Sequence, residues 1–365
     1  MIERALELAR SARLLCPPNP AVGCLLVSAD GQVLGEGQTQ RTGQAHAEVM
    51  ALRNAAARGL SVSGATAYVT LEPCAHRGRT GPCVEALAHA GIARVVASLE
   101  DPDPRVAGSG FAYLRAAGIE VVVGPGAAAS RELNLGFFSR MLRQRPWVRL
   151  KIAASLDGRT ALENGQSQWI TGEAARTDGH AWRARACALL TGIGTVLEDD
   201  PQLDVRLLPC DRQPALVVVD SRLQTPLAAK LFRPQRSLLI YSGQTDGSRA
   251  PGLQALGATV IPLPEPVPGG QKVDLAAMLR DLAAREINEL HIEAGHKLNG
   301  SLVRAGLVDE FLVYLAPRLL GHGRSMAEFG PLNSLCEAQQ LVFESSQMLG
   351  PDLRILARLA GSDAF

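Results

Sequence analysis

Short apolar runs alternate with helical patterns along most of this sequence, and the alternation restricts the fold more than any other feature. An apolar, β-branched run bounded by turn residues is typical of a buried strand, whereas apolar residues at three- and four-residue spacing indicate a helix. Strands separated by helices favour an α/β sheet that is covered by helices. In the first third of the chain the predicted strands are 21–28, 65–71, 93–99 and 119–123, and the predicted helices are 2–15, 46–57, 83–90 and 109–117.

A second series of strands begins after Pro146. Its last three runs have no helices between them, which predicts antiparallel pairing there. The basic stretch Arg140–Arg145, just before Pro146, is interpreted as a solvated linker. It sets the boundary between two domains, 1–145 and 146–365. The strands predicted in the second domain are 147–154, 188–192, 215–220, 237–242, 289–293, 310–316, 341–345 and 353–359.

Charge and hydropathy exclude several classes of protein. The 365 residues include 37 basic and 36 acidic side chains. This sequence thus lacks the excess of basic residues that would predict a nucleic-acid partner. No apolar run is long enough to cross a bilayer, and the charges within Met1–Arg10 do not fit a signal peptide. We therefore expect a cytoplasmic protein that binds neither nucleic acid nor membrane. Seven cysteines, an odd number, are better explained as metal ligands or core residues than as a disulfide scaffold.

Three segments of the first domain carry candidate zinc ligands: His46-Ala47-Glu48, Pro73-Cys74 and Cys83. An imidazole and two thiolates suit Zn²⁺, and three protein ligands leave a fourth position for water. Zinc would make that water a hydroxide near neutral pH. Glu48 need not be a ligand and could instead move the proton of that water. The order H-x-E followed by P-C-x-x-C is the signature of zinc nucleobase deaminases.

The cysteine spacing departs from this signature, because eight residues rather than two separate Cys74 from Cys83. The insert, 75–82, holds basic and small residues and could form a substrate loop. Since His76 lies in the insert, the residues alone leave two ligand sets open, one with Cys83 and one with His76 in its place. A zinc-stabilised binding protein is an alternative to an enzyme, but a free Glu48 argues against it, because structural zinc sites close with four protein ligands.

The second domain has no complete dinucleotide fingerprint, since Gly192-Ile-Gly194 lacks the third glycine. Polar groups nevertheless follow several predicted strands, where α/β sheets place their sites. Thr191–Thr195 offers backbone N–H groups to phosphates. Ser221 and Arg222 could meet the 2′-phosphate that distinguishes NADP from NAD. The residues alone therefore predict an α/β domain with an anion site.

Longer motifs in both domains resemble one enzyme family. Those of the first domain are Asn19-Pro-Ala-Val-Gly-Cys24, His46-Ala-Glu48 and Thr70-Leu-Glu-Pro-Cys-Ala-His-Arg-Gly-Arg-Thr-Gly-Pro-Cys83. Those of the second are Arg145–Arg159, Ser167–Gly172, Leu190–Pro201 and Leu298–Glu310. Together they resemble the bifunctional riboflavin-biosynthesis deaminase–reductases, in which the long cysteine spacing is itself a family feature. The resemblance implies a cytidine-deaminase-like α/β/α sandwich followed by a dihydrofolate-reductase-like α/β domain.

The resemblance also implies roles for individual residues. It assigns zinc to His46, Cys74 and Cys83, with Glu48 as the general acid/base. It assigns the pyrimidine to Asn19 and His76. The implied NADPH contacts are Ala153, Trp169, Thr195, Asp199, Ser221 and Gly295, and Arg222 joins them because of its charge. The implied contacts of the phosphoribosyl substrate in the second domain are Ser167, Arg183, Leu203, Arg206 and Glu293.

The implied reaction has two steps on a small phosphoribosyl pyrimidine. The first domain would remove the 2-amino group of 2,5-diamino-6-(5-phosphoribosylamino)pyrimidin-4-one by hydrolysis. The second would reduce the ribosyl group with NADPH to give 5-amino-6-(5-phosphoribitylamino)uracil. We expect a homo-oligomer. A tRNA or nucleoside deaminase with an unrelated second domain is the alternative, and the NADP motifs and the lack of basic excess argue against it.

Overall fold

One mixed sheet organises the N-terminal part of the chain. In the computed structural model, which describes residues 1–76, 81–245, 247–267 and 269–365, the chain divides into two compact units, Met1–Gln144 and Arg145–Phe365. The strands of the first unit are β1 (Gly23–Val27), β2 (Val33–Gln38), β3 (Thr66–Val69), β4 (Arg94–Ala97) and β5 (Glu120–Val123). Its helices are α1 (Ile2–Ala12), α2 (Ala47–Ala57), α3 (Cys83–His89), α4 (Ser109–Ala116), α5 (Ala127–Leu133) and α6 (Leu135–Arg143).

The first sheet has the order β2-β1-β3-β4-β5, with β1 antiparallel to both neighbours and β3, β4 and β5 parallel. Helices α1 and α2 approach this sheet closely because glycines face them. A Cβ atom at Gly23 would lie 1.9 Å from the carbonyl oxygen of Ala5, and one at Gly37 would lie 2.2 Å from that of Ala47. Any side chain at either glycine would therefore push a helix away from the sheet.

The second unit is built on a longer sheet. Its strands are β6 (Trp147–Ser155), β7 (Arg159–Leu162), β8 (Ala188–Gly192), β9 (Ala215–Val219), β10 (Leu238–Ser242), β11 (Ala258–Pro262), β12 (Glu289–Ile292), β13 (Glu310–Ala316), β14 (Gly323–Ser325), β15 (Leu341–Leu349) and β16 (Asp352–Leu359). Its α-helices are α7 (Glu173–Arg185), α8 (Ile193–Asp199), α9 (Ala250–Ala255), α10 (Leu275–Ala284) and α11 (His296–Arg304), and short 3₁₀ turns lie at Lys230–Phe232 and Leu335–Glu337.

The order of this sheet is β11-β10-β9-β8-β12-β6-β13-β16-β15. The strands from β11 to β13 run parallel, and β16 and β15 continue the sheet antiparallel. Apolar clusters cover both faces of the parallel part, which explains why strands such as Ala215–Val219 are uninterrupted apolar runs. Strands β7 and β14 form a separate antiparallel pair.

The predicted alternation of strands and helices is confirmed, with particular exceptions. The antiparallel pairing predicted near the end holds for β15 and β16, but β13 also pairs in parallel with β6. The pattern missed β2, which two glycines interrupt, the edge strand β11, and the short strands β7 and β14. Across the described ranges, no helix combines the length and apolar character that a bilayer crossing requires.

The interpretation of Arg140–Arg145 as a linker is wrong. Its first four residues complete helix α6. Arg143 Nη2 donates to the Ser139 hydroxyl at 2.6 Å, and the Arg140 guanidinium lies 5.7 Å from the centre of the Phe137 ring. Basic side chains are favoured in the last turn of a helix because they face the negative end of its dipole. The charge run therefore indicates a helix end.

Candidate active sites

Three elements of the first unit converge on a cluster of one imidazole and two thiols. His46 directly precedes α2, Cys74 follows the carboxyl end of β3, and Cys83 is the first residue of α3. Both Sγ atoms lie 3.5 Å from His46 Nδ1, and the three ligand atoms lie within 4.8 Å of one another. In the part of the chain that the structure describes, this cluster includes Cys83 and not His76.

The geometry and the donor set of this cluster fit zinc. With Zn–N bonds of about 2.0 Å and Zn–S bonds of about 2.3 Å, tetrahedral angles separate a nitrogen from a sulfur ligand by about 3.5 Å. Both cysteines lie at that distance from His46. Hydrogen bonds from Cys83 and His46 hold the pKa of the Cys74 thiol below its ordinary value, which favours the thiolate that zinc requires. Three protein donors leave one tetrahedral position for water.

Glu48 supplies a buried carboxyl group beside the cluster. It is the second residue of α2, and only 4% of it is exposed. Burial, together with the negative charge at Cys74, raises the pKa of Glu48 to about 7. A group with such a pKa can both accept and donate a proton near neutral pH.

A second buried glutamate, Glu72, fixes the strand end that carries the first cysteine ligand. One carboxylate oxygen accepts from the backbone N–H groups of Asp101 and Gly108, and the other accepts from those of Gly110 and Phe111, at distances of 2.8 to 3.1 Å. Four such bonds join the end of β3 to the loop after β4 and to the start of α4. Glu72 was not predicted from the sequence, although a glutamate between a buried strand and a ligand cysteine was a signal.

The residues assigned to the pyrimidine lie in two loops. Asn19 is half-buried between α1 and β1, and His76 is half-buried after the first cysteine ligand. His76 Nδ1 is buried and has no hydrogen-bond partner among the described residues. Asp101, which was also not predicted from the sequence, lies after β4, where burial raises the pKa of its carboxyl to about 7. Residues 77–80 of the predicted substrate loop lie outside the described residues.

The second unit contains a cavity of about 1210 Å³. It lies at the carboxyl ends of β8, β9 and β12, where α/β sheets bind ligands. Four of the residues assigned to NADPH line it: Thr195, Ser221, Arg222 and Gly295. Thr195 and Gly295 are neighbours in its wall, since the Thr195 hydroxyl lies 3.8 Å from the position that a Cβ at Gly295 would occupy. The other lining arginines and lysines are Lys272, Lys297, Arg304 and Arg324.

The remaining residues assigned to NADPH do not line this cavity. Ala153 pairs with Tyr314 across β6 and β13. Trp169 is 60% exposed, and its ring centre lies 4.8 Å from the Arg176 guanidinium. Asp199 ends α8, and burial raises the pKa of its carboxyl. The structure thus brings together only part of the predicted cofactor set.

A buried ion cluster lies after β12, with Glu293 at its centre. Arg183 Nε and Nη2 donate to the two Glu293 oxygens at 2.5 and 2.9 Å, and Lys151 Nζ lies 3.4 Å from the carboxylate. Burial opposes ionisation of Glu293, but the charges of Arg183 and Lys151 outweigh it and hold the pKa well below its usual range. No role was predicted for Lys151, and its pairing with Glu293 was not expected.

The same arginine connects this cluster to the loop that carries the other substrate residues. Arg183 Nη1 donates to the Asp204 carbonyl at 3.0 Å, between Leu203 and Arg206. Leu203 is buried, and half of the Arg206 side chain is exposed, with Nη1 2.5 Å from the Asp204 carboxylate. Ser167 is half-buried in the segment after β7.

Two family models match the chain, one in each unit. Residues 1–99 match the cytidine and deoxycytidylate deaminase zinc-binding region. Residues 146–355 match the RibD C-terminal domain.

Proteins that are similar to this chain align with nearly its full length. The riboflavin biosynthesis protein RibD of Escherichia coli (strain K12) is 44% identical over 363 residues, which are 96% of each chain. Acinetobacter baumannii RibD, form 1, is 39% identical with a TM-score of 0.88, covering 98% of this chain and 97% of that one. A diaminohydroxyphosphoribosylaminopyrimidine deaminase/5-amino-6-(5-phosphoribosylamino)uracil reductase of Thermotoga maritima is 29% identical with a TM-score of 0.87, covering 98% and 97%.

These matches confirm the predicted resemblance and the predicted fold class, a cytidine-deaminase-like domain followed by a reductase domain. Zinc is the metal of the first matched region, in agreement with the His/Cys/Cys cluster found there. The chain therefore belongs to the family of bifunctional riboflavin-biosynthesis deaminase–reductases, and it carries both enzymatic domains.

Proposed function

We propose that each of the two domains of this chain catalyses one of the two reactions of the family. Residues 1–145 form a deaminase domain that removes the 2-amino group of 2,5-diamino-6-(5-phosphoribosylamino)pyrimidin-4-one by hydrolysis. Residues 146–365 form a reductase domain that uses NADPH to give 5-amino-6-(5-phosphoribitylamino)uracil. The observation that carries this proposal is that one chain holds both a His/Cys/Cys cluster beside a buried acid and a large cavity at the ends of parallel strands.

In the deaminase domain, His46, Cys74 and Cys83 hold zinc, which supplies Lewis-acid activation of a water molecule when it is bound. Glu48 takes a proton as the water oxygen adds to the ring carbon that bears the amino group. The same carboxyl then returns the proton to the departing nitrogen, so that one water is consumed and one ammonia is released. Asn19 and His76 bind the pyrimidine. The Nδ1 atom of His76 is buried and has no hydrogen-bond partner within the described ranges, which supports this role.

In the reductase domain, NADPH supplies the hydride, and the protein binds and orients the two reactants. Ser221 and Arg222 bind the 2′-phosphate at the cavity wall. The other cofactor contacts are Ala153, Trp169, Thr195, Asp199 and Gly295. Arg206 and the Leu203 backbone bind the phosphate of the substrate. Ser167, Arg183 and Glu293 bind its ribosylamino part, in which C1′ receives the hydride, the C1′–O4′ bond breaks and O4′ takes up a proton from solvent.

The chain is further proposed to form a homo-oligomer. Strand β15 is the edge of the second sheet and is exposed along nearly all of its length. Val342, Phe343 and Met348 on this strand are 51%, 74% and 59% exposed. An apolar edge strand is a surface for pairing with another strand, and two copies of β15 can pair antiparallel about a two-fold axis. The second copy is therefore the occupant that this surface fits best.

We also propose a cytoplasmic location. None of the seven cysteines, all of which lie within the described residues, forms a disulfide. Free thiols persist in a reducing compartment, and two of them are needed here as metal ligands.

Glu48→Gln is expected to abolish deamination while leaving zinc bound. The amide fills the same volume but cannot shuttle a proton, so ammonia release should fall by roughly 10²- to 10⁴-fold. Metal analysis and an ammonia assay measure the two effects, and reduction of deaminated substrate by the same variant should persist. Glu100→Gln changes an exposed carboxylate of the same unit and is the matched control. Near-normal ammonia release by Glu48→Gln would exclude its role in proton transfer.

Cys74→Ala and Cys83→Ala are each expected to reduce the zinc content, because each removes one of three protein ligands. His76→Ala should retain zinc and instead weaken substrate binding. Metal content per chain, measured after dialysis, separates these outcomes. Cys336→Ala removes an exposed thiol of the second unit and serves as the control. The ligand set would be wrong if His76→Ala lost the metal and Cys83→Ala kept it.

Arg222→Ala is expected to lower the preference for NADPH over NADH about tenfold or more. A charge-assisted hydrogen bond contributes about 1.5–3 kcal/mol, and NADH has no 2′-phosphate to receive it. The measurement is the ratio of kcat/KM for the two cofactors. Arg280→Ala, which removes an exposed arginine from α10, should leave the ratio unchanged. An unaltered ratio in Arg222→Ala would remove this residue from the cofactor site.

Phe343→Glu is expected to weaken self-association, because it places a charge in the centre of the proposed pairing strand. Sedimentation of the wild-type protein should give the mass of a dimer or larger assembly of the 38.7 kDa chain. The dissociation constant of the variant assembly should be about tenfold higher or more. Leu256→Glu changes an exposed leucine outside β15 and should not alter the mass. If the wild-type chain sediments as a monomer, the oligomer proposal is wrong.

A further inference from the structure

The segment 202–206 of the reductase domain has no regular secondary structure, yet its backbone is held in a defined conformation. It lies between α8 and β9 and includes Leu203 and Arg206, two of the residues assigned to the substrate. Leu203 has a φ of 50°, in the left-handed region that non-glycine residues rarely adopt. Such a conformation persists only where the surroundings fix it.

Side chains from other parts of the chain bind the second half of this segment. Gln213 acts as a strand partner of Val205: its side-chain amide accepts from the Val205 N–H and donates to the Val205 carbonyl, both at 2.8 Å. His180 Nδ1 accepts from the Arg206 N–H at 3.2 Å. Together with the bond from Arg183 to the Asp204 carbonyl, these contacts determine the path of the backbone.

Arg236 binds the first half. Its two Nη atoms donate to the carbonyl oxygens of Gln202 and Leu203. Its Nε is buried and has no partner in the part of the chain that the structure describes. Burial lowers the pKa of Arg236 to about 10, and among the described residues no carboxylate forms an ion pair with it. Partial burial of a cation is costly unless polar groups compensate it, and for the half-buried Arg236 these are the two carbonyl oxygens and the nearby charge of Asp204.

The direction of these two bonds has a consequence for the opposite side of the segment. In a trans peptide the C=O and N–H groups point in opposite directions. Since Arg236 binds the carbonyls of Gln202 and Leu203, the N–H groups of Leu203 and Asp204 face away from it. Neither N–H group has a hydrogen-bond partner among the described residues. Successive backbone N–H groups around a left-handed residue form a concave site for anions.

We propose that Arg236 is a positioning residue for the substrate phosphate. It fixes the peptide groups whose N–H bonds, together with the Arg206 side chain, receive that phosphate. Arg236 does not touch the substrate itself; it acts through segment 202–206. This inference rests on the proposed role of Leu203 and Arg206 in binding the phosphoribosyl substrate.

The test compares Arg236→Met with Arg236→Lys in steady-state reduction of 5-amino-6-(5-phosphoribosylamino)uracil. Methionine fills much of the same volume without charge or donors, so KM for this substrate should rise about tenfold or more. The value of kcat and the KM for NADPH should change much less. Lysine keeps the charge and one carbonyl contact, and it should restore part of the affinity. Arg233→Met removes an exposed arginine three positions away and should behave as wild type.

A dephosphorylated substrate distinguishes positioning from a general structural role. For the ribosylamino analogue without the phosphate, Arg236→Met and wild type should have the same kcat/KM. A loss of the same size with both substrates would overturn the proposal, because the damage would then not concern the phosphate. An unchanged kcat and an unchanged KM for NADPH in the same variant confirm that the unit carrying Arg236 has folded. Gln213→Leu loosens the same segment without changing charge, and it should reproduce the phosphate-specific loss if Arg236→Met proves insoluble.

Arg206→Ala separates this inference from the function on which it rests. If Arg206→Ala raises KM for the phosphorylated substrate and Arg236→Met does not, Arg236 is not a positioning residue and the phosphate site stands. If neither variant changes KM, the proposed phosphate site itself is wrong, and the inference is overturned with it. If both variants raise KM, the double variant should raise it by less than the product of the two single increases, because both changes act on one contact.

Discussion

Parallel pairing of neighbouring strands determines where the chemistry of this enzyme lies. When strands run parallel, their carboxyl ends meet at one edge of the sheet, and the loops that follow them become neighbours however far apart they are in sequence. In the first unit, β3 and β4 bring Cys74 and Asp101 to one edge. In the second, β8, β9 and β12 do the same for Thr195, Arg222 and Glu293. Each site is therefore assembled by the sheet from short polar segments that carry little structure of their own.

The sequence was sufficient to predict the elements whose pattern is local. Buried parallel strands are apolar runs, and the zinc ligands are rare residue types at a diagnostic spacing. Interactions that act on distant backbone groups leave no such pattern. Glu72 binds N–H groups up to 39 residues away, and Arg236 binds carbonyls 33 and 34 residues away. The same limit explains the error at Arg140, because a run of positive charge has the same composition in a linker and at a helix end.

Three buried charges of the two units, Glu72, Glu293 and Arg149, are met by groups that are fixed before substrate arrives. Glu72 has four N–H donors, and Glu293 has two cations. Arg149, fully buried in β6, is met by Glu289 and Glu310 from the two neighbouring strands. Charges that are already compensated do not need to reorganise when the ligand binds, which is the basis of electrostatic preorganisation. In the sequence each of them looks like an ordinary surface charge.

The side-chain contacts of segment 202–206 also limit how this part of the chain can evolve. Surface loops usually accept insertions and deletions, because their backbone is solvated. Here five consecutive residues are matched to Arg236, Arg183, Gln213 and His180, each anchored elsewhere in the unit. Adding or removing one residue would shift every later peptide group out of reach of its partner. This loop can therefore change by substitution but not in length, a constraint more familiar from the interior of a sheet.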